Sequence, residues 1–236
     1  MANRCCVTLA ALLLGLAFAA APASAEPRPV VVELFTSQGC SSCPPADALL
    51  GELSRRAGVL ALGFHISYWD RLGWKDPLSS EASTERQKIY ARRLSGGQVY
   101  TPQMVVEGVS DVVGSDRDAV MNAVRQAAGE ARPEARAPVV FAADRRSVAI
   151  DGGVGNGEVV LVRFAAHRTT QVDAGENASR LLDDFNGVET LTALGLWDGS
   201  RREFTIEPPG PGEGLAVLVQ APDGRMLGAA MVLGSS

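Results

Sequence analysis

Histidine is scarce in this chain. His65 and His167 are its two histidines, which excludes a histidine-rich metal centre and leaves a serine–histidine hydrolase few candidate bases. Lysine is as scarce: Lys75 and Lys88 are the two lysines, and the other basic side chains are arginines. Basic charge is outnumbered, 22 side chains against 27 acidic ones, and it forms no cluster, so no nucleic-acid partner is expected. After the first residues no apolar run reaches the length of a membrane span, so none is expected. Neither charge nor apolar content is extreme: 21% and 46% are ordinary for a globular chain. At 236 residues it can bury a core without disulfides.

The N-terminus reads as a signal peptide over residues 1–25. Arg4 supplies the positive end, Val7–Ala20 an apolar run too short to span a bilayer, and Ala23-Ser24-Ala25 a small-residue cleavage site. An exported protein, periplasmic or secreted, is therefore expected. Cys5 and Cys6 leave with this segment, and Cys40 and Cys43 remain, separated by two serines. In an oxidising compartment such a pair forms a lasting disulfide. A loop so short restrains little of the unfolded chain, so the bridge contributes little stability. The pair is either there for redox chemistry or a disulfide formed because two thiols lie close. C-x-x-C beside a βαβ pattern favours redox chemistry.

That pattern follows from the apolar runs. Val30–Phe35 and Val59–Ile66 are continuous enough to be buried strands. Pro45–Arg56 has helical spacing, and Glu81–Leu94 is a polar amphipathic helix ending at Gly96-Gly97. Strands are expected at Val99–Val106 and Ser110–Val113, then a helix over Asp116–Ala128 capped by Ser115. Residues 26–131 thus form one α/β domain, and 132–138 a linker. Residues 139–236 are expected to form a smaller, mostly-β domain, a sandwich or barrel. Its strands are expected at Val139–Ala142, Ser147–Ile150, Val159–Ala166, Phe204–Glu207, Leu215–Gln220 and Met226–Val232. Pro44 and Pro45 are easiest to place if the first helix begins near Cys43. Cys40 then lies on the preceding turn, where the helix stabilises a thiolate less.

Three segments carry a resemblance: Phe35–Asp47 (FTSQGCSSCPPAD), His65–Pro77 (HISYWDRLGWKDP) and Tyr100–Gly108 (YTPQMVVEG). Together they resemble an uncharacterised family of secreted, thioredoxin-like bacterial proteins, catalogued as a domain of unknown function. Gly175-Glu176-Asn177 and Leu196-Trp197 are similar to its C-terminal part, more weakly. The resemblance implies a thioredoxin-like domain in which Cys40 attacks and Cys43 resolves the mixed disulfide. It also places Pro102 as a cis proline closing over the sulfurs. Without the resemblance, Pro102 also reads as a trans proline starting an edge strand.

His65 ends a strand on the sheet edge that bears the cysteine turn. It is a candidate for proton transfer or thiolate stabilisation, and also for a structural, hydrogen-bonded role. Trp69, Trp74 and Thr101 are candidate substrate contacts. Glu33, an acid in an apolar strand, is either a proton acceptor behind the cysteines or the partner of an arginine. Asp70 and Asp76 are expected to brace their loop, and His167 to be structural. The leading function is a thiol–disulfide oxidoreductase that works on protein thiols or a redox partner, with no cofactor beyond its dithiol. The alternatives are a copper carrier using the same thiols and a non-catalytic binding protein with an inert disulfide.

Overall fold

The computed structural model describes residues 28–129 and 136–235. The signal segment 1–25 and residues 132–135 of the expected linker lie outside the described residues. The chain is a mixed α/β protein. Its first half runs β1 (Val30–Thr36), α1 (Pro44–Ser54), β2 (Val59–His65), α2 (Glu81–Leu94), β3 (Gln103–Val106), β4 (Ser110–Val113) and α3 (Arg117–Gly129). Strands β1 and β2 pair in parallel, and every residue of both is buried. A parallel pair needs cover on both faces, which is why its sequence is a run of apolar residues rather than an alternation. Strand β3 pairs antiparallel with β1, and β4 with β3.

The second half supplies β5 (Val139–Phe141), β6 (Ser147–Ile150), β7 (Gly157–Gln171), β8 (Leu181–Trp197), β9 (Arg202–Thr205), β10 (Glu213–Gln220) and β11 (Met226–Leu233). Strands β7 and β8 form a long hairpin, and β8 joins the edge of β2 at Gly63 and Gly187. The result is one eight-stranded sheet in the order β11-β10-β7-β8-β2-β1-β3-β4, so strands of both halves share it. Strands β5, β6 and β9 make a separate three-stranded sheet.

Three apolar clusters hold these layers together. Helices α1 and α3 cover one face of β1, β2 and β3 through Leu49, Leu50, Leu53, Val120 and Val124. On the other face, Phe35, Leu62 and Phe64 meet Tyr90 of α2, and also Val162, Phe164 and Leu218 of β7 and β10. The large sheet therefore bends back so that its second half roofs its first. The small sheet packs on the outer face of β7 and β10 around Trp197, with Val148, Ile150, Leu215 and Val217. Among the described residues no helix is long and apolar enough to cross a membrane.

Most expected elements appear with ends shifted by a few residues. Asp116 rather than Ser115 caps α3, its carboxylate accepting from Ala119 N–H at 3.0 Å. The third strand begins at Gln103, after Pro102 rather than before it. The strand expected at Val159–Ala166 is fifteen residues long, and its seventeen-residue partner β8 has no counterpart among the expected elements.

Candidate functional site around the cysteine turn

The chain leaves β1 at Thr36, turns through Ser37, Gln38 and Gly39, and reaches Cys40. Helix α1 starts at Pro44, with Cys43 as its N-cap and prolines in its first two positions. Those positions have no intrahelical N–H bond to lose, so two successive prolines fit without cost. Cys43 O opens the helix by accepting from Ala46 N–H (2.8 Å) and Asp47 N–H (3.1 Å). Cys40 therefore lies on the turn before the helix, as the prolines led us to expect. The two sulfurs stand at disulfide distance, with Cα atoms 5.4 Å apart. Both cysteines are fully buried, at 0% exposure.

Thr101 and Pro102 approach from the start of β3, and the bond between them is cis. The Thr101 hydroxyl donates to Cys40 Sγ at 3.4 Å, and its oxygen accepts from Trp69 Nε1 at 2.9 Å. Trp69 is thus committed to holding Thr101, and Thr101 to the Cys40 sulfur. Trp74, the other candidate substrate contact, donates from Nε1 to Gln38 Oε1 at 3.1 Å. Both tryptophans are half-buried.

Behind the turn lies a cluster of ionisable groups. His65, 2% exposed, bonds through Nδ1 to Asp76 Oδ2 at 2.7 Å, and its Nε2 is 3.6 Å from Asp184 Oδ1. Asp76 Oδ2 also accepts from Gln38 N–H (2.8 Å), and Asp184 Oδ2 accepts from Gln38 Nε2 (2.6 Å). Burial opposes the His65 imidazolium, but the charge and hydrogen bond of Asp76, then Asp184 and Asp47, outweigh it and lift its pKa to about 9. Burial pulls Asp76 up as well. His65 and the N–H groups of Gln38 and Leu78 win, holding its carboxyl below the ordinary value. Asp47, whose Oδ1 accepts from Thr36 Oγ1 at 2.7 Å, is pushed by burial up to about 7 against the pull of His65. Burial likewise raises Asp184. The cluster holds a charged imidazole at neutral pH and a carboxyl that exchanges its proton near pH 7, four residues after Cys43.

The tip of the β7–β8 hairpin closes the site from the second half of the chain. Buried Asn177 donates from Nδ2 to both Gln38 O and Cys40 O, each at 2.9 Å. Glu176 Oε2 accepts from Ser41 N–H at 3.0 Å and from Ser41 Oγ at 2.7 Å. Gly175, at φ +77°, lets the tip turn close to Trp74, where a Cβ would lie 3.1 Å from Trp74 Cβ.

The structure brings Cys40, Cys43, His65, Trp69, Trp74, Thr101 and Pro102 to this one turn and its surroundings. Asp70 braces its loop by accepting from Ser79 Oγ at 2.7 Å. Glu33 lies apart. It takes Arg86 Nε at 2.6 Å and the Tyr90 hydroxyl, so it is the arginine partner rather than a proton acceptor for the cysteines. His167 is exposed, pairs with Asp183 at 2.9 Å and stacks on Phe185. Gln38, Asp47, Asp184, Glu176 and Asn177 were not singled out from the sequence as site residues. Gln38 and Asp47 did stand inside the Phe35–Asp47 segment, and Glu176-Asn177 inside the weaker similarity. Asp184 left no signal. Among the described residues no group of three or more His, Cys, Asp or Glu side chains could hold a metal ion.

Among solved structures, this fold is similar to protein AGR_C_4864 from Agrobacterium tumefaciens. The two share 32% identity and a TM-score of 0.74 over 90% of this chain and 97% of that one. HBP35 of Porphyromonas gingivalis is similar at a TM-score of 0.57 and 15% identity, over 88% of this chain and 76% of that chain, a likeness of fold alone. No curated protein matches the chain. The family model described as "Protein of unknown function (DUF1223)" matches residues 31–220, which take in the cysteine turn, the aromatic loop, Thr101-Pro102 and the hairpin tip, and the chain belongs to that family.

Proposed function

We propose that this protein is an exported, thioredoxin-like thiol–disulfide oxidoreductase whose Cys40–Cys43 pair cycles between disulfide and dithiol. One observation carries the reading. The two sulfurs stand at disulfide distance on a turn at the end of β1, and the Thr101 hydroxyl is directed at the sulfur of Cys40. In the reducing direction the Cys40 thiolate attacks a substrate disulfide and one substrate sulfur leaves as a thiol. Cys43 then displaces the second, and the pair ends oxidised by two electrons. Each displaced sulfur takes up a proton, and each protein thiol must lose one. Asp47, four residues after Cys43 and titrating near pH 7, is the acceptor this reading assigns to the Cys43 proton. The charge of His65 favours the ionised form of that carboxyl. Export rests on the signal segment 1–25, and the expected partners are protein thiols or a redox partner protein.

The full burial of both cysteines favours a second reading, an inert disulfide in a binding protein. The reduction potential decides between them, measured by equilibration with defined glutathione mixtures and thiol mass spectrometry. A value well above about -300 mV, the upper limit typical of structural disulfides, is expected for a working pair. A lower value with slow exchange in both directions overturns the proposal in favour of the inert bridge. A pair that stays reduced in an oxidising buffer and retains copper overturns it in favour of a metal carrier.

A further inference from the structure

The hairpin tip places a carboxylate where the exchange chemistry has no use for one. Ser41 follows Cys40 directly, and its backbone N–H is the first donor after the attacking cysteine. A backbone N–H near a cysteine sulfur favours its thiolate, on a turn as at a helix start. Here that N–H is bonded to Glu176 Oε2 at 3.0 Å, and the Ser41 hydroxyl to the same oxygen at 2.7 Å. The two bonds hold the Glu176 carboxyl below its ordinary value, so it is ionised at neutral pH. Tying up that donor and holding a negative charge on the residue next to Cys40 act in the same direction, against the thiolate. Asn177 fixes the carboxylate in place by binding Gln38 O and Cys40 O. Arg180, on the tip itself, is engaged with Asn177 Oδ1 at 2.7 Å. The Thr101 hydroxyl at 3.4 Å and the Ser42 hydroxyl at 3.3 Å are then the groups in hydrogen-bond reach of the Cys40 sulfur.

We propose that Glu176 is a positioning residue that restrains Cys40: its carboxylate takes the Ser41 N–H and opposes the thiolate, so the second half of the chain sets the reactivity of the cysteine pair. This rests on the redox reading of the pair, but it is tested without any substrate. The full chain is reduced chemically, and iodoacetamide labelling of Cys40 is followed by peptide mass spectrometry across pH at low salt, in wild type, Glu176→Gln and Glu176→Ala. Gln keeps the size and an acceptor oxygen for Ser41 but removes the charge. Glu176→Gln is expected to lower the midpoint of the labelling profile by about half a pH unit, speeding labelling at pH 7 about threefold. Because Glu176 is exposed, the difference should narrow at 1 M salt, where charges are screened over about 3 Å. A midpoint unchanged in Glu176→Gln overturns the inference, even if Glu176→Ala shifts it, since the contacts rather than the charge would then be responsible. A salt-independent difference overturns it too. These failures leave the redox reading standing. A disulfide that resists glutathione in wild type and variant alike overturns that reading, while the labelling profile still decides the role of Glu176.

Discussion

His65 is buried between two carboxylates, and its charge has a stability consequence with a definite sign. Its pKa rises from the ordinary 6.5 to about 9, because the charges of Asp76 and Asp184 outweigh burial. The folded state therefore binds a proton that the unfolded chain releases near pH 6.5. The stability this contributes is fully present below pH 6.5 and is lost as pH rises through about 9. At about 1.4 kcal/mol for each tenfold change in proton affinity, the rise amounts to about 3 kcal/mol, an upper figure because the cluster relaxes when the charge goes. Urea unfolding of the oxidised protein between pH 7.5 and 9.5 reads this directly, since no free thiol of the Cys40–Cys43 pair titrates there. Wild type should lose about 1–2 kcal/mol across that range, the rest of the contribution being lost below pH 7.5, and the slope should vanish in His65→Gln. A flat wild-type profile, or a slope that survives in His65→Gln, refutes the reasoning. In either case the imidazole is not the charged centre of the cluster.

Other consequences concern the same turn and its support. Cys40→Ser should reduce disulfide exchange to the uncatalysed rate, while Cys43→Ser should accumulate a mixed disulfide detectable by mass spectrometry; exchange that survives both changes removes the pair from the chemistry. Asp47 keeps its proton to about pH 7 when folded and to 3.8 in its ordinary state, so stability falls as pH rises between these values. Asp47→Asn should therefore leave stability unchanged at pH 4 and raise it at pH 8. The gain should be about 1 kcal/mol, because the side chain is half-buried and screened, and any inflection near pH 7 in the exchange rate should disappear. Gly51 of α1 lies against Phe185, where an added Cβ would stand 2.5 Å from the ring. Gly51→Ala should destabilise by about 1–3 kcal/mol in a denaturant melt, exceeding the roughly 1 kcal/mol that alanine gains over glycine in a helix.

The parts of the site readable in the sequence are those whose chemistry and position are set within one short stretch. Cys40 and Cys43 announce themselves by spacing, and the prolines after them locate the helix start to within a residue. Tyr100–Gly108 carries the cis proline in a recognisable segment. Strand β8 is different. Its buried positions include Asp184 and Asn186, polar residues where a strand pattern calls for apolar ones, and Asp183-Asp184-Phe185-Asn186-Gly187 reads as a turn. Those residues are buried because partners wait for them. Asp184 receives Gln38 Nε2, and Asn186 Nδ2 donates to Ala61 O at 2.8 Å. A local rule fails where the strand faces a polar site, which is where such failures are expected.

The sequence by itself determined the redox-capable pair, the strand–helix alternation of the first half and the acidic, histidine-poor chemistry at its disposal. These rest on spacing and periodicity, which are properties of neighbouring residues. Only the tertiary structure decided what surrounds the pair. Ser41 meets Glu176 across 135 residues, and Gln38 meets Asp184 across 146. Such contacts exist only because the β7–β8 hairpin pairs with β2 and carries its tip to the end of β1. Whether Glu33 faces an arginine or a thiol, and whether His65 carries a charge, depend on the same event. Charge and burial are set by what the fold packs against a side chain, and the residues beside it in the chain do not report that.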